Sequence, residues 1–227
     1  LLPGHALVYN LSTGDRQLHA YWDVLDYYKK NNQQDIGEEE AMEEINRLLL
    51  SACRSRTAGV SSFGALLSGG YDSSVVAALA QKEQSAKLKT YSMGFEESAF
   101  DETPYACSVS NHLGTDHTAF YCTAADAKNL LPQLPNIYDE PFGDSSGIPT
   151  SLVYQWTSGG VSCLLSADGG DEIFGGYSKY QMAQKYYHSF SRVPRWFAKS
   201  LSAAMGLLAP ERVASLFGGF YNFDVRY

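Results

Sequence analysis

The sequence predicts an α/β protein whose doubly wound parallel sheet follows a short N-terminal β-hairpin and precedes a helical C-terminal part. Strand-like apolar runs alternate with helix-like segments from residue 62 onward, which is the pattern of a parallel sheet with helical connections. Two of these runs, at 63–67 and 161–166, pass directly into glycine-rich polar turns. The chain has 227 residues, 44% of them apolar, so it can bury one sizeable core.

The first 35 residues are expected to form a separate hairpin and linker. Apolar runs at 7–9 and 18–22 flank turn residues at 12–15, which predicts two antiparallel strands. Residues 31–35 are polar and have the composition of a linker. The apolar residues from Ala41 to Ala52 then fall on one face of a helix, so we expect the main domain to occupy 36–227.

The main domain is expected to alternate strands and helices up to residue 177 and to be helical beyond it. The expected strands lie at 62–67, 88–93, 117–121 and 161–166. The expected helices begin at residue 75 and at residue 124, span 104–113, end at Trp156, and cover 179–189, 194–208 and 210–217. Gly114 is expected to close one of these helices and Thr123 to cap the next.

The first glycine-rich turn reads Ser68-Gly69-Gly70-Tyr71-Asp72-Ser73 and has the chemistry of a phosphate-binding loop. Its glycines let the backbone approach an oxyanion, Ser68, Ser73 and Ser74 add hydroxyl groups, and the following helix contributes free N–H groups. A carboxylate in such a cradle repels phosphate unless a divalent cation lies between them, so we interpret Asp72 as a magnesium ligand. The alternative is a structural turn after a core strand. A Walker loop is disfavoured because the Gly-Lys-Ser/Thr ending is missing.

The second turn follows Ser166 and reads Ala167-Asp168-Gly169-Gly170-Asp171-Glu172-Ile173-Phe174-Gly175-Gly176-Tyr177. It carries three carboxylates within five positions, 168–172, which favours a cation site over a core element. Ligands of open parallel sheets bind at the carboxyl ends of the strands. We therefore expect both turns to face one crevice.

These two motifs together resemble the ATP pyrophosphatases, and in particular the synthetase domain of asparagine synthetase. Further similar segments follow in the expected order: Met93-Gly94-Phe95, Phe100-Asp101-Glu102, the turn at 111–115, and Asp139-Glu140-Pro141. The resemblance covers nearly the whole chain. It implies a sheet of the adenine nucleotide alpha hydrolase-like type.

The resemblance also implies roles for individual residues. ATP and Mg²⁺ are the expected cofactors, with Asp72 and Asp171 as metal ligands. The residues expected to bind the nucleotide are Leu67, Ser68, Gly69, Gly70, Asp72, Ser73, Met93, Ser166 and Ala167. The expected catalytic residues are Asp168, Asp171 and Tyr177, and the expected substrate contacts are Asp139, Glu140 and Asp144. The alternative for Met93 is a plain core methionine.

The implied activity is that of a ligase of the glutamine-hydrolysing asparagine synthase type. A substrate carboxylate, with aspartate as the leading candidate, attacks the α-phosphorus of ATP, pyrophosphate leaves, and ammonia converts the acyl-adenylate to an amide and AMP. The ammonia is expected from a glutaminase domain or partner outside this chain, because the Cys nucleophile of that domain is N-terminal and position 1 is Leu.

Two departures from the family pattern keep other functions open. Ala167-Asp168 stands where the family commonly has Gly-Glu, and no segment before Tyr227 matches the one that carries the family's active-site lysine. We therefore expect a synthetase domain that is truncated at its C-terminal end. The alternatives are a synthetase with another acceptor, such as a sugar-acid amidotransferase or a β-lactam or lasso-peptide cyclase, a nucleotide-binding homologue without turnover, and a tRNA-modifying or nucleotide-synthesising relative.

Composition excludes several partners. The net charge is −8 and no Lys/Arg cluster occurs, so we expect no nucleic acid partner. No apolar run approaches 18 residues and no signal pattern opens the chain, so we expect a cytoplasmic protein without a membrane contact. The four cysteines are widely spaced and are expected to be buried free thiols. The sequence leaves the oligomeric state open, with a homodimer among the options.

Overall fold

The computed structural model describes residues 1–29, 36–97, 100–139, 141–191 and 194. The chain divides into two compact units between Ala58 and Gly59. The domain boundary expected between residues 35 and 36 stays a prediction. The helices expected at 194–208 and 210–217 lie outside the described residues, apart from Pro194.

The first unit contains the predicted hairpin. Strands β1 (His5–Tyr9) and β2 (Arg16–Ala20) pair antiparallel, with His5 opposite Ala20. The side chain of Asn10 accepts hydrogen bonds from the N–H groups of Ser12 and Thr13, which closes the turn. Helices α1 (Val24–Lys29) and α2 (Glu38–Thr57) follow. The hairpin prediction is confirmed.

The second unit is built on a four-stranded parallel sheet, as the strand and helix alternation predicts. Its strands are β3 (Phe63–Leu66), β4 (Lys89–Phe95), β5 (Asp116–Cys122) and β6 (Cys163–Leu165). Their order across the sheet is β5-β4-β3-β6. The chain therefore moves outward from β3 to β5 and then returns to the other side of β3. This reversal places a topological switch point between β3 and β6.

The helices of this unit connect its strands and continue beyond β6. They are α3 (Tyr71–Lys82), α4 (Thr103–Leu113), α5 (Ala124–Leu130), a 3-10 turn (Leu131–Gln133), α6 (Leu134–Tyr138), α7 (Gly147–Thr157), α8 (Gly170–Phe174) and α9 (Ser178–Phe190). Gly114 ends α4 with φ of 71°, and Thr123 forms a capping box with Asp126, as predicted. No described helix is long and apolar enough to cross a membrane.

Alternate residues of β4 face opposite sides of the sheet. On one side, Tyr91 and Met93 pack with α7 and β5, and Phe120 stacks on Tyr91 with 6.0 Å between ring centroids. On the other side, Thr90 and Ser92 hydrogen-bond to the half-buried imidazole of His117, at 3.0 Å and 3.1 Å. Burial lowers the pKa of His117. Apolar and polar cores therefore lie on the two faces of one strand, and helices cover both.

The cysteines differ in their surroundings. None of the four forms a disulfide; Cys53 and Cys122 are buried and Cys163 is half-buried. Cys107 is exposed, which corrects the expectation that all four are buried. It lies on α4 at the edge of the face whose buried positions are Thr103, Ala106 and Ser110, so its side chain reaches solvent although its spacing matches that face.

Candidate active site

The first loop, residues 67–70, joins β3 to α3 and packs tightly. Gly69 has φ of 87°, and a methyl group there would collide with the backbone of Tyr105 and Ala106 at the start of α4. Only glycine therefore fits both the backbone conformation and the space. The N-terminus of α3 receives no side-chain cap, which leaves helix N–H groups for an anion.

The hydroxyl groups of this loop bond to one another. The Oγ atoms of Ser68 and Ser73 lie 3.0 Å apart, and the N–H of Ser68 donates to Ser73 Oγ at 3.2 Å. Ser74, expected to offer its hydroxyl to the ligand, donates it instead to the carbonyl of Gly70 at 2.6 Å. The loop is therefore held in shape by its own serines.

The second loop begins after β6 and contains a short helix where the sequence predicts an irregular turn. Gly169 and Gly175, with φ of 92° and 69°, flank α8 on its two sides. Ser166 Oγ donates to the carboxylate of Asp168 at 2.9 Å, and the hydroxyl of Tyr177 donates to Glu172 at 3.0 Å. This bond raises the pKa of Tyr177. Side chains of this loop therefore orient its own carboxylates.

The two loops lie next to each other, because β3 and β6 are paired with Ala65 opposite Leu165. A methyl group on Gly170 would collide with the carboxylate of Asp72, so Asp72 lies against the second loop. A methyl group on Gly176 would likewise collide with the carboxylate of Asp171. The two glycines leave room for the two carboxylates that the sequence singles out as metal ligands.

A cavity of about 830 Å³ opens at the carboxyl ends of β3, β4 and β6. The predicted site residues that line it are Leu67, Ser68, Met93, Asp144, Ala167, Asp168, Asp171 and Tyr177. Others lie beside it without lining it: Gly69, Gly70, Asp72 and Ser73 in the first loop, and Ser166 in the second. Asp139 ends α6 with φ of 58°, is exposed and does not line the cavity, and Glu140 lies outside the described residues.

Met93 is both a core residue and a residue of the cavity wall. Its side chain packs against the core clusters, and the residue also lines the cavity. The pairing of β3 with β4 ends at Leu66 opposite Tyr91, whose carbonyl accepts from the N–H of Leu67 at 2.8 Å. Peptide groups alternate in direction along a strand, so those of Met93 point to the same side as those of Tyr91, beyond the end of β3.

Sequence reasoning missed Glu102 as a residue of this cavity. An acidic residue before a helix start is expected for structural reasons, so its type carried no functional signal. In the structure Glu102 precedes α4 and lines the cavity. The residue is exposed to solvent at the cavity. Protein atoms around its carboxyl group partly exclude water, which raises the pKa of Glu102. Its position a few residues after β4 could have identified it, because ligands of parallel sheets bind at the carboxyl ends of the strands.

The cavity is acidic. Five of its lining residues carry carboxylates: Glu102, Asp144, Asp168, Asp171 and Glu172. Among the residues that the structure describes, no Lys, Arg or His lines the cavity. The N–H of Ser146 bonds to Asp144 at 2.8 Å and lowers the pKa of that carboxyl group. An anionic ligand here needs cations to offset this charge.

Mg²⁺ fits the donors of the two loops. Within the described parts of the chain, no group of three or more His, Cys, Asp or Glu residues could hold a metal ion by itself. Mg²⁺ does not require such a cage, because it binds through one or two carboxylates together with substrate phosphates and water. Asp72, packed on Gly170, and Asp171 in the next position are the two carboxylates that could hold such an ion.

Comparison with known proteins agrees with this architecture. The family model described as asparagine synthase matches residues 44–222. A putative glutamine-hydrolyzing asparagine synthetase of Methanocaldococcus jannaschii is 38% identical over 172 residues, which are 75% of this chain and 32% of that protein. Glutamine-hydrolyzing asparagine synthetase 1 of Bacillus subtilis is 35% identical over 138 residues, 61% of this chain and 22% of that protein. The chain thus spans about a third or less of the relatives it matches.

Among solved structures, the glutamine-dependent NAD+ synthetase of Acinetobacter baumannii in complex with ADP is 15% identical, with a TM-score of 0.44. The match covers 76% of this chain and 32% of that one. The family match extends over most of the sequence and includes both loops of the cavity. The chain therefore belongs to the asparagine synthase family.

Proposed function

We propose that this chain is the synthetase part of an ATP-dependent, amide-forming ligase, which adenylates a substrate carboxylate. One observation carries the proposal. The glycine-rich loop after β3 and the acidic loop after β6 converge at the switch point of the sheet, with Asp72 packed on Gly170 beside a cavity of about 830 Å³. A cavity of this size is typical of small-molecule sites.

The nucleotide is proposed to lie along the carboxyl ends of the strands. Its phosphates bind at the loop of Ser68, Gly69 and Gly70 and at the N-terminus of α3. Its adenine lies beside Met93, where peptide groups extend past the end of β3. Bound between Asp72 and Asp171, Mg²⁺ would neutralise phosphate charge and stabilise the leaving pyrophosphate.

The reaction forms one bond to phosphorus and breaks another. An oxygen of the substrate carboxylate attacks the α-phosphorus of ATP, and the bond to the bridging oxygen of pyrophosphate breaks. Ammonia then attacks the acyl carbon, AMP leaves, and the amide forms. Asp168, held by Ser166 at 2.9 Å on the cavity wall, is placed to position the ammonia or the acceptor.

Aspartate is the leading acceptor in this proposal, and the ammonia comes from a glutaminase domain or partner. Both relatives described above are named glutamine-hydrolyzing asparagine synthetases, which supports this choice. Asp168 stands where the family commonly has glutamate, so another carboxylate remains the alternative acceptor. We place the reaction in the cytoplasm, where ATP and free amino acids are available together.

Exchange of labelled pyrophosphate into ATP tests the proposal, because only a true acceptor supports reversible adenylation. The assay is run with aspartate and a panel of other carboxylic acids. We expect exchange with one acceptor, and its loss by at least about a hundredfold in Asp72→Asn and Asp171→Asn. Asp26→Asn, in the hairpin unit, is the matched control. Exchange that survives in both site variants would overturn the metal assignment.

The second candidate function is nucleotide binding without turnover. The acidic cavity favours it, since no described lining residue offers a cation to a developing phosphate charge. Such a protein would bind MgATP in an equilibrium titration and release no pyrophosphate with any acceptor. Absence of both binding and exchange in the folded chain would reject both functions.

A further inference from the structure

The acidic cavity would repel the anionic nucleotide that the proposed function requires. Five carboxylates line it, and one Mg²⁺ offsets only two charges. A triphosphate carries about four negative charges of its own at neutral pH. A protein cation near the second loop would therefore be needed for tight binding.

Lys179 is a cation next to the cavity wall. It lies in the first turn of α9, two residues after Tyr177, which lines the cavity. Its Nζ lies 3.9 Å from the ring centroid of Tyr177 and 5.7 Å from that of Tyr180. The ring of Tyr177 in turn is tied through its hydroxyl to Glu172, another lining residue. The ammonium group is thus attached to the wall through an aromatic ring.

No described carboxylate pairs with this ammonium group, although Asp171 and Glu172 belong to the same loop as Tyr177. An exposed cation over an aromatic face is held weakly. A phosphate oxygen offers a charge-assisted hydrogen bond, which is stronger. The flexible four-carbon stem of lysine allows the ammonium group to move from one to the other, and lysine binds phosphate as a point charge.

We propose that Lys179 is a phosphate-binding residue of this site, whose ammonium group rests on the Tyr177 ring and binds the nucleotide phosphates when ATP enters the cavity. The inference rests on the proposed function, since it requires a nucleotide in the cavity. It assigns a residue that the two glycine-rich loops do not contain. It also gives Tyr177 a definite role, that of holding this cation at the wall.

Equilibrium titration of the full chain with MgATP and, separately, with adenosine tests this proposal. We expect Lys179→Ala to weaken MgATP binding about tenfold or more, because a hydrogen bond to a charged group is lost. Adenosine has no phosphate, so its affinity should stay within about twofold of the wild type. Lys179→Arg should recover part of the MgATP affinity. Lys128→Ala, which removes an exposed lysine from α5, should bind both ligands as the wild type does.

The outcomes separate this inference from the proposed function. If the wild type does not bind MgATP, the proposed function fails and this inference fails with it. If the wild type binds MgATP and Lys179→Ala binds it equally well, only the role of Lys179 is rejected. Equal losses of MgATP and adenosine affinity would assign Lys179 a structural role and also reject it. If circular dichroism shows that Lys179→Ala is unfolded, Lys179→Gln, which keeps most of the side-chain stem, replaces it. The same comparison of MgATP and adenosine affinities then applies.

Discussion

The two loops that border the cavity differ in what holds them and in what they present. The first is closed by its own serines and packs through Gly69 against α4. The second contains α8 between two left-handed glycines and exposes Asp168 and Glu172 toward the cavity. In the proposed function, the first loop is the rigid frame that binds phosphate, and the second loop supplies the charged groups that act on it. Changes in the first should cost folding stability, and changes in the second should cost activity.

The largest stability effect is expected at Gly69. Gly69→Ala should lower the free energy of unfolding by about 3 kcal/mol, because the side chain needs a left-handed backbone and also collides with α4. Gly175→Ala in the second loop has a left-handed backbone but no neighbouring atom within 4 Å, so it should cost about 1 kcal/mol. Urea unfolding of both variants measures the difference. Equal losses would remove the contrast between the loops.

The next effect is expected where the loops meet. Gly170→Ala should displace the carboxylate of Asp72 and reduce pyrophosphate exchange about a hundredfold, because a shift of about 1 Å in a site residue can have this cost. Gly143→Ala, which has open space and an ordinary backbone, is the control and should exchange normally. Full exchange in Gly170→Ala would mean that the contact between Asp72 and the second loop has no part in catalysis.

A smaller effect separates the two halves of the reaction. Ser166→Ala removes the hydrogen bond to Asp168, and amide formation at saturating ammonium should fall about tenfold, the value of one bond to a charged group. Pyrophosphate exchange should stay near the wild-type rate if Asp168 positions the ammonia. Parallel losses in both assays at unchanged ATP affinity would assign Asp168 to the acceptor instead, whereas a lower ATP affinity would assign Ser166 to the nucleotide. Ser158→Ala, whose hydroxyl bonds only within its own helix, is the control.

The smallest effect concerns the polar side of the sheet below the first loop. Burial lowers the pKa of His117, so the unfolded chain binds the proton more readily than the folded one. The contribution of His117 to stability should therefore be complete above about pH 6.5 and decline as the pH falls below it. When the pH is lowered from 7.5 to 5.5, the urea concentration at the midpoint of unfolding should fall less in His117→Gln than in the wild type.

Much of the fold was predictable because its signals are local. The turn at 12–15, Gly114 and Thr123 mark element ends through backbone preferences that act over a few residues. The short helix α8 was missed, since a five-residue helix between glycines has no periodicity to detect. Cys107 was misplaced because residue type alone does not say which face of α4 is buried.

Within the site, eight of the residues named at the sequence level line the cavity, six of them from the two loops together with Met93 and Asp144. The roles of the metal ligands and catalytic residues remain predictions. Glu102 was missed because acidic residues at helix starts are common for electrostatic reasons. Lys179 carried no signal either, as one lysine in an amphipathic helix is ordinarily a solvated surface residue.

By itself the sequence determined two glycine-rich turns at strand ends, because such turns depend on neighbouring residues alone, and it led to the prediction that they bind phosphate and metal. Only the tertiary structure decided that β6 lies beside β3, which brings Asp72 onto Gly170, and that Tyr177 carries Lys179 to the cavity wall. The strand order results from pairing between residues about 100 positions apart. The contact of Lys179 with the Tyr177 ring joins a helix to a loop. Local backbone preferences encode neither of them.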